Sequence, residues 1–181
     1  EGANVAFCAR AQKALDETRA DIENLGVKTF ASTCDVSDAQ QLEIFLNDTR
    51  NALGSIDILI NNTSGFGLTD DEAGWKLSVD VDLMASVRAT HQVTPWMKEA
   101  GGGSIVHISS ISGLEPGSPP AYSAVKAALV SHAKTMAQEL APQNIRINCV
   151  APGSIFIEGG FWDTIKQNNK PMYDGIVSMI P

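Results

Sequence analysis

Basic residues are scarce relative to acidic ones in this sequence of 181 residues. Thirteen lysines and arginines stand against twenty-one aspartates and glutamates, which gives a formal net charge of −8. A protein that binds the phosphate backbone of a nucleic acid needs a basic surface. We therefore expect no nucleic-acid partner.

Long apolar runs and paired cysteines are also missing. No run approaches the roughly 18 residues of a membrane span, and the first residues lack the basic and apolar segments of an export signal. The cysteines Cys8, Cys34 and Cys149 are odd in number and scattered, which fits a reduced compartment better than a disulfide framework. We expect a cytoplasmic protein with no membrane partner and no metal site.

The apolar fraction of 44% against 19% charged residues is sufficient for a folded core. Short apolar segments alternate with stretches of helical period, which predicts βαβ units in a parallel sheet covered by helices on both faces. The fold class is α/β, a doubly wound parallel sheet in one domain over residues 1–181, with 152–181 as a looser substrate segment. The predicted strands are 5–8, 29–33, 56–60, 104–108 and 145–151. The predicted helices are 12–25, 71–99 and 123–140. A further helix is predicted between Ser37, as its N-cap, and Gly54, where it ends.

The residues that directly follow each predicted strand are polar, small or turn-forming. In open α/β sheets ligands bind outside the carboxyl ends of the strands, so these positions predict a ligand site along one edge. They are Ala9-Arg10, Asp35-Val36, residues 61–65, Ser109-Ser110 and Pro152-Gly153.

Tyr122 and Lys126 are the strongest candidates for chemistry. Positions i and i+4 of a helix share a face, so the ammonium of Lys126 can approach the phenol of Tyr122. A nearby cation favours the phenolate and is expected to lower the pKa of Tyr122 from about 10. Ser110, at the end of a strand, can donate a hydrogen bond to a substrate carbonyl. A surface pair and a strand-end cap are the plain alternatives.

Ser110, Tyr122 and Lys126 together resemble the Ser, Tyr-x-x-x-Lys active site of the short-chain dehydrogenase/reductase family. The resemblance implies a Rossmann-like sheet and hydride transfer to or from a nicotinamide. Tyr122 would be the acid–base group, Lys126 its pKa modifier and ribose anchor, and Ser110 the group that polarises the carbonyl. Asp82 stands where the family often has the Asn that holds a relay water, and we expect it to take that catalytic position.

Further segments resemble the family's cofactor contacts. Asp35-Val36 resembles its adenine contact, and residues 58–65 resemble its Asn-Asn-Ala-Gly segment, with Thr63-Ser64 where Ala-Gly is usual. Pro152-Gly153, at the end of the fifth predicted strand, matches the family's Pro-Gly turn beside the nicotinamide. Ile155 matches the residue that contacts the nicotinamide carboxamide. The resemblance thus implies cofactor contacts at Asn62, Gly65, Pro152, Gly153 and Ile155, besides Tyr122 and Lys126.

Arg10 determines the expected choice of cofactor. Family members that use NAD tend to place a carboxylate at this strand end, where this sequence has Ala9 followed by Arg10. A guanidinium pairs with a 2′-phosphate, which a carboxylate would repel. We therefore expect NADP(H).

The family's first strand and its Thr-Gly-x-x-x-Gly-x-Gly loop are absent from this sequence. In the strand order 3-2-1-4-5-6 that strand lies between the second and fourth strands, so residues 5–8 and 56–60 would each lose a ladder partner. We expect an internal piece of a longer chain, truncated at both ends.

The favoured function is an NADP(H)-dependent oxidoreductase that interconverts a carbonyl and a secondary alcohol. A 3-oxoacyl-carrier-protein reductase and a non-catalytic dinucleotide-binding fragment remain as alternatives. Aromatic and methionine residues after Pro152 predict an apolar carbonyl or alcohol substrate. The family commonly assembles through its two long helices, which implies a homo-oligomer formed through residues 77–99 and 123–140.

Overall fold

The computed structural model describes residues 2–116 and 118–180. Within them, strands and helices alternate as expected for an α/β protein. The strands are β1 (Val5–Ala9), β2 (Thr29–Thr33), β3 (Ile58–Asn61), β4 (Gly103–Ile108) and β5 (Ile145–Val150). The helices are α1 (Gln12–Glu23), α2 (Ala39–Leu53), α3 (Glu72–Leu77), α4 (Ala85–Glu99), α5 (Pro120–Leu140), α6 (Phe161–Asn168) and α7 (Lys170–Met179).

The strands form two parallel sheets in the described part of the chain. β1 pairs with β2, with Val5 opposite Thr29. β4 lies between β3 and β5, with Ile105 opposite both Leu59 and Ile147. No ladder among the described residues joins β1 to β3. Both β1 and β3 therefore have an edge without a strand partner, as the sequence predicted.

The helix layer joins the two sheets where the strands do not. α2, which follows β2, packs against α4 through one continuous core. Phe45 and Leu46 of α2 are buried in that core with Val93 and Met97 of α4. Each such side chain contributes about 1.5–3 kcal/mol when it is fully buried. Apolar packing across the helices therefore substitutes for hydrogen bonding across the gap between the sheets.

The N-terminus of α2 differs from the prediction. Asp38 is the N-cap, since its carboxylate accepts hydrogen bonds from the backbone N–H groups of Gln40 and Gln41. Ser37 was predicted for this position, but its N–H and its hydroxyl both donate to Asp35. The prediction of Ser37 as the cap was wrong by one residue, because Asp35 draws Ser37 into a turn of its own.

Residues 72–99 are helical throughout, with no break at Gly74. Between α3 and α4 lies a π-helical segment, Ser78–Met84. Such wide turns are rare and occur frequently at functional sites. This one contains Asp82, whose side chain it directs into the interior.

The other element boundaries differ from prediction by a few residues. α1 ends at Glu23, β3 begins at Ile58, and β5 ends at Val150. α5 begins at Pro120 rather than Ser123, because proline is well suited to the first turn of a helix. Tyr122 therefore lies within the first turn of α5. None of the helices in residues 2–116 and 118–180 is long and apolar enough to cross a bilayer.

Candidate active site

The loops after β4 and β5 lie side by side. The N–H of Ser109 donates to the carbonyl of Val150 at 2.7 Å, and the N–H of Ile111 donates to that of Pro152 at 2.9 Å. Two of the strand ends singled out in the sequence are therefore held together by backbone hydrogen bonds. Ser110 lies between these contacts, on the edge where ligands bind in such sheets.

Ser109 and Ser110 have different roles. The hydroxyl of Ser109 donates to the carbonyl of Lys126 at 2.7 Å, which ties the end of β4 to α5. The hydroxyl of Ser110 accepts from the N–H of Ser112 at 3.1 Å. This contact leaves the proton of Ser110 free to be donated, either to Tyr122 or to a ligand. The alternative of a capping role holds for Ser110, which is the N-cap of the short turn Ile111–Gly113, whereas the contact of Ser109 with α5 was not predicted.

A close backbone contact fixes α5 against the serine loop. The short turn Ile111–Gly113 packs on α5 at Lys126. A Cβ atom added to Gly113 would lie 2.7 Å from the backbone nitrogen of Ala127. Only glycine permits this approach, which sets the distance between Ser110 and the helix that carries Tyr122.

Lys126 and Asp82 form a direct ion pair in the interior. The Nζ atom of Lys126 lies 3.2 Å from Oδ1 of Asp82, and the two side chains are 3% and 0% exposed. Nζ also donates to the carbonyl of Ile108 at 3.0 Å. Two of the three donors of the ammonium are therefore committed, and one remains.

Asp82 also holds the loop that follows β3. The hydroxyl of Ser64 donates to Oδ1 at 2.6 Å, and the N–H of Gly65 donates to Oδ2 at 2.9 Å. The carboxylate thus has partners on both oxygens, as a buried charge requires. Gly65, a residue that the resemblance assigns to the cofactor, donates its amide N–H to Asp82 in this structure.

Tyr122 lies beside both Lys126 and Ser110. The Nζ atom of Lys126 is 5.4 Å from the centre of the Tyr122 ring. Burial raises the pKa of the Tyr122 phenol, a hydrogen bond with Ser110 lowers it, and the charge of Asp82 raises it further. The net shift is upward. The prediction of a lowered pKa was wrong, because burial of the phenol outweighs the hydrogen bond with Ser110, and the charge of Asp82 adds to the upward shift.

Arg10 and Asp35 lie near each other at the ends of β1 and β2. Arg10 is exposed. Hydrogen bonds from Ser37 lower the pKa of the Asp35 carboxyl, with a smaller contribution from the charge of Arg10. Val36, the other predicted adenine contact, is buried in the core with its side chain turned inward. A ligand at this edge would therefore meet one cation and one carboxylate.

The remaining predicted cofactor contacts line the loops after β3 and β5. Asn62, Gly153 and Ile155 are exposed, and Pro152 is half-buried. The carbonyl of Pro152 is engaged with Ile111, as described above. These positions lie in loops at the carboxyl ends of β3 and β5, the edge that the prediction assigned to the ligand.

A chain of polar side chains that the sequence analysis did not identify lies next to this site. Nδ2 of Asn61 is 3.0 Å from Nδ1 of His107, and Nε2 of His107 is 3.0 Å from Nδ1 of His132. His107 is fully buried on β4. Its position two residues before Ser109, within an alternating strand, was the available signal, since residues i and i+2 of a strand share a face.

Comparisons with known proteins show the family and the fold of the chain. The family model described as short chain dehydrogenase matches residues 1–161. The chain is 37% identical over 162 residues to human dehydrogenase/reductase SDR family member 4, with 86% of this chain and 58% of that protein covered. It therefore spans a little over half the length of this relative.

Two solved structures share the fold. A 7α-hydroxysteroid dehydrogenase in complex with NADH and 7-oxo glycochenodeoxycholic acid has a TM-score of 0.82 at 29% identity, covering 87% of this chain and 64% of that one. L-Sorbose reductase from Gluconobacter frateurii, in complex with NADPH and L-sorbose, has a TM-score of 0.84 at 30% identity, covering 96% and 69%. With a family model that matches most of its length, this chain belongs to the short-chain dehydrogenase/reductase family.

Proposed function

We propose that the protein is a nicotinamide-dependent oxidoreductase that interconverts a carbonyl and a secondary alcohol. The observation that carries the proposal is the convergence of Ser110, Tyr122 and the Lys126–Asp82 pair at the carboxyl end of β4. A hydroxyl that keeps its proton, a phenol and a fixed ammonium are the groups that such a reaction needs beside one carbonyl.

Each of these side chains has a distinct role in the proposed reaction. The hydroxyl of Ser110 donates to the carbonyl oxygen and stabilises the negative charge that develops on it. The phenol of Tyr122 gives its proton to that oxygen in reduction and accepts one in oxidation. Lys126 directs its remaining N–H donor toward a ribose hydroxyl. A bound reduced nicotinamide would supply the hydride to the carbonyl carbon.

The raised pKa of Tyr122 favours one direction. A phenol whose pKa lies above its usual value of about 10 remains protonated at neutral pH. It is therefore ready to donate a proton, as carbonyl reduction requires, and a poor base for alcohol oxidation. We propose reduction as the direction that the site supports at neutral pH, with oxidation increasing only in alkaline solution.

The residues present fit the nicotinamide–ribose part and the adenosine part of such a cofactor. Ser110, Tyr122 and the remaining donor of Lys126 serve the first, and the exposed Arg10 serves the second. The sequence contains no Thr-Gly-x-x-x-Gly-x-Gly motif. We therefore assign no residue to the pyrophosphate.

Arg10 supports NADP(H) over NAD(H). Its guanidinium is exposed at the end of β1, where the adenosine ribose binds in this fold. Asp35 lies close enough to interact with it. Arg10 would turn from Asp35 to a 2′-phosphate, which accepts bidentate hydrogen bonds and carries more charge than a carboxylate.

An apolar substrate is supported by the segment after Pro152. Phe156, Trp162 and Tyr173 of this segment line a small cleft, and Phe161 stacks near Tyr122 through Phe66. We propose an apolar ketone or aldehyde as the substrate.

The other parts of the proposal concern the whole protein. The chain forms one domain, with residues 152–181 above the site. We also propose a cytoplasmic location and a homo-oligomer formed through α4 and α5.

Replacing Tyr122 by Phe tests the proposed function. Oxidation of NADPH with a panel of apolar ketones and aldehydes should fall by more than about a hundredfold, while NADPH binding measured by fluorescence should be retained. Tyr173→Phe is the matched control, because it removes the hydroxyl of the chain's other tyrosine and keeps the apolar ring that lines the cleft. Equal NADPH oxidation by Tyr122→Phe and the unmodified protein would refute the assignment.

Replacing Arg10 by Ala tests the cofactor separately. The ratio of NADPH to NADH affinity should fall by about tenfold or more, because a charge-assisted hydrogen-bond pair is lost. Lys13→Ala, which removes another exposed cation near the start of α1, should leave the ratio unchanged. A ratio that is the same before and after Arg10→Ala would contradict the choice of NADP(H).

A further inference from the structure

Phe66 has an unusual backbone conformation. Its φ angle is +50°, in the left-handed region that bulky residues rarely adopt, although its ring is 52% exposed. The glycines on either side fix the loop: a Cβ at Gly65 would lie 2.9 Å from Cγ of Leu77, and one at Gly67 would lie 2.2 Å from Oγ of Ser78. The loop is therefore pressed against the helical segment that follows it, with Phe66 projecting outward.

The ring of Phe66 lies between two other aromatic rings. It stacks on Tyr122 with 5.9 Å between centroids and 8° between planes, and on Phe161 with 6.3 Å and 13°. The three rings come from the loop after β3, from α5 and from α6. Together they form a nearly parallel array that begins at the proposed acid–base residue.

Asp82 determines where the Phe66 loop lies. Its carboxylate accepts from Ser64 and Gly65, and the hydroxyl of Ser64 in turn lies 3.4 Å from the N–H of Phe66, which donates to it. The same carboxylate pairs with Lys126. A continuous set of contacts thus runs from the ammonium to the backbone of Phe66.

The hydrogen bond between Ser64 and Asp82 joins two residues that depart from the family pattern. A glycine in place of Ser64 would have no hydroxyl to donate. An asparagine in place of Asp82 would have a single acceptor oxygen, too few for Ser64, Gly65 and Lys126 together. Each of the two departures therefore depends on the other.

We propose that Ser64 and Asp82 are positioning residues that hold Phe66 against Tyr122, and that Phe66 determines specificity by favouring a carbonyl attached to a flat apolar ring. The inference rests on the proposed function. A substrate whose carbonyl oxygen reaches Ser110 and Tyr122 extends along Phe66 and Phe161, which are 52% and 43% exposed. Because the face of Phe66 is covered by its neighbours, a planar substrate ring packs edge to face against the exposed part of these rings, in a way that a flexible alkyl chain does not.

The first test compares kcat/KM for two ketones of equal carbon number, acetophenone and 2-octanone. Phe66→Leu should lower the ratio of acetophenone to 2-octanone by roughly two- to tenfold, mainly through KM. Ser64→Ala should change the ratio in the same direction, and Ser64→Thr, which keeps the hydroxyl, should restore it. Leu25→Ala, which removes a large side chain that is exposed at the end of α1, is the control.

The second test needs no turnover. In a Tyr173→Phe background, Tyr122 is the single tyrosine of the chain, and ultraviolet difference absorbance follows its ionisation. Phe66→Leu and Ser64→Ala should both move the midpoint toward that of a free phenol, because water gains access to the ring. Ser64→Thr should not.

The two tests separate this inference from the proposed function. If neither ketone is reduced but the midpoints move as expected, the proposed function fails and the positioning of Phe66 stands. If both ketones are reduced but their ratio and the midpoints are the same in Phe66→Leu as in the unmodified protein, the function stands and the role of Phe66 is refuted.

Discussion

The candidate functional residues of this protein are buried beside one sheet and more exposed beside the other. On the β3–β4–β5 side, Asp82, Lys126, Ser109 and Ser110 are all less than about one-tenth exposed and are bonded to one another or to the backbone. On the β1–β2 side, Arg10 is exposed and Asp35 is half-buried. The residues that surround the proposed acid–base residue thus lie within the folded interior, Tyr122 itself is half-buried, and the proposed cofactor selector lies on the surface.

This difference determines how readily each part can change. A buried charge is tolerated only with its partners in place, so neither Asp82 nor Lys126 can be replaced alone without a loss of stability. An exposed cation usually changes stability by less than about 0.5 kcal/mol when replaced. If the proposed function holds, selectivity for the cofactor can change without a cost in folding, whereas the ion pair beside Tyr122 cannot be broken without one. Substitutions that separate stability from activity test this contrast.

Breaking the buried ion pair should have the largest effect. Asp82→Ala or Lys126→Ala should each lower the free energy of unfolding by about 3–5 kcal/mol, because the remaining charge is left unpaired in the interior. The exposed pair Lys76–Asp80 is the matched control, and Lys76→Ala should cost about 1 kcal/mol or less. Urea unfolding measures both.

A double variant sharpens this prediction. Asp82→Leu combined with Lys126→Met removes both charges and should cost less than the sum of the single changes, because neither charge is left alone. Additive losses would show that the two side chains do not act as a pair, and the contrast between the two sides of the molecule would lose its physical basis.

Lowering the pH should have the next largest effect on stability, through the histidines beside β4. Burial, together with the neighbouring His132, lowers the pKa of His107 from 6.5 to about 4, and the charge of His91 acts on His132 in the same direction. The unfolded chain therefore binds a proton that the folded chain does not. Stability should be fully present above pH 6.5 and fall by about 3 kcal/mol as the pH decreases toward 4.

The histidine signals in a proton NMR titration measure these pKa values directly, since the chain has three histidines. Urea unfolding of His107→Asn between pH 4 and 7 provides the stability measurement. The variant should lose most of the dependence on pH in this range, whatever its absolute stability. A His107 signal that titrates at its ordinary pKa in the folded protein would contradict the prediction.

The sequence predicted the order of the elements and the edge at which the functional residues meet, because period and strand ends are local properties. It did not predict the sign of the pKa shift at Tyr122. That sign depends first on burial of the phenol in the folded chain, and then on the charge of Asp82, which is 40 residues away in the chain and lies in a π-helical turn. The role of Ser109 and the stacking of Phe66 were missed for the same reason, since both depend on contacts between distant segments.

Ser109 and Ser110 allow a comparison of two neighbouring residues. Ser109→Ala should lower the free energy of unfolding by about 1 kcal/mol, because the buried hydrogen bond that ties the end of β4 to α5 is lost. Ser110→Ala should lower turnover by about a hundredfold with a smaller effect on stability. Urea unfolding and NADPH-coupled turnover, each measured on both variants, would show whether folding and chemistry are divided in this way. Equal losses of stability and activity in both would contradict it.

The smallest expected effect on stability concerns a surface contact between α2, on the β1–β2 side, and α4, on the β3–β4–β5 side. Arg50 of α2 pairs with Glu99 of α4 at 2.9 Å and lies over the ring of Trp96 at 5.0 Å. Both charged side chains are largely exposed, so Arg50→Ala should cost about 0.5–1 kcal/mol. Glu17→Ala breaks an exposed pair within α1 that joins no two elements and should cost less. In urea, Arg50→Ala should still unfold in one transition, because the buried packing of α2 on α4 holds the sheets together. Two separate transitions would show instead that this surface contact is what makes the β1–β2 side unfold together with the side that carries the chemistry.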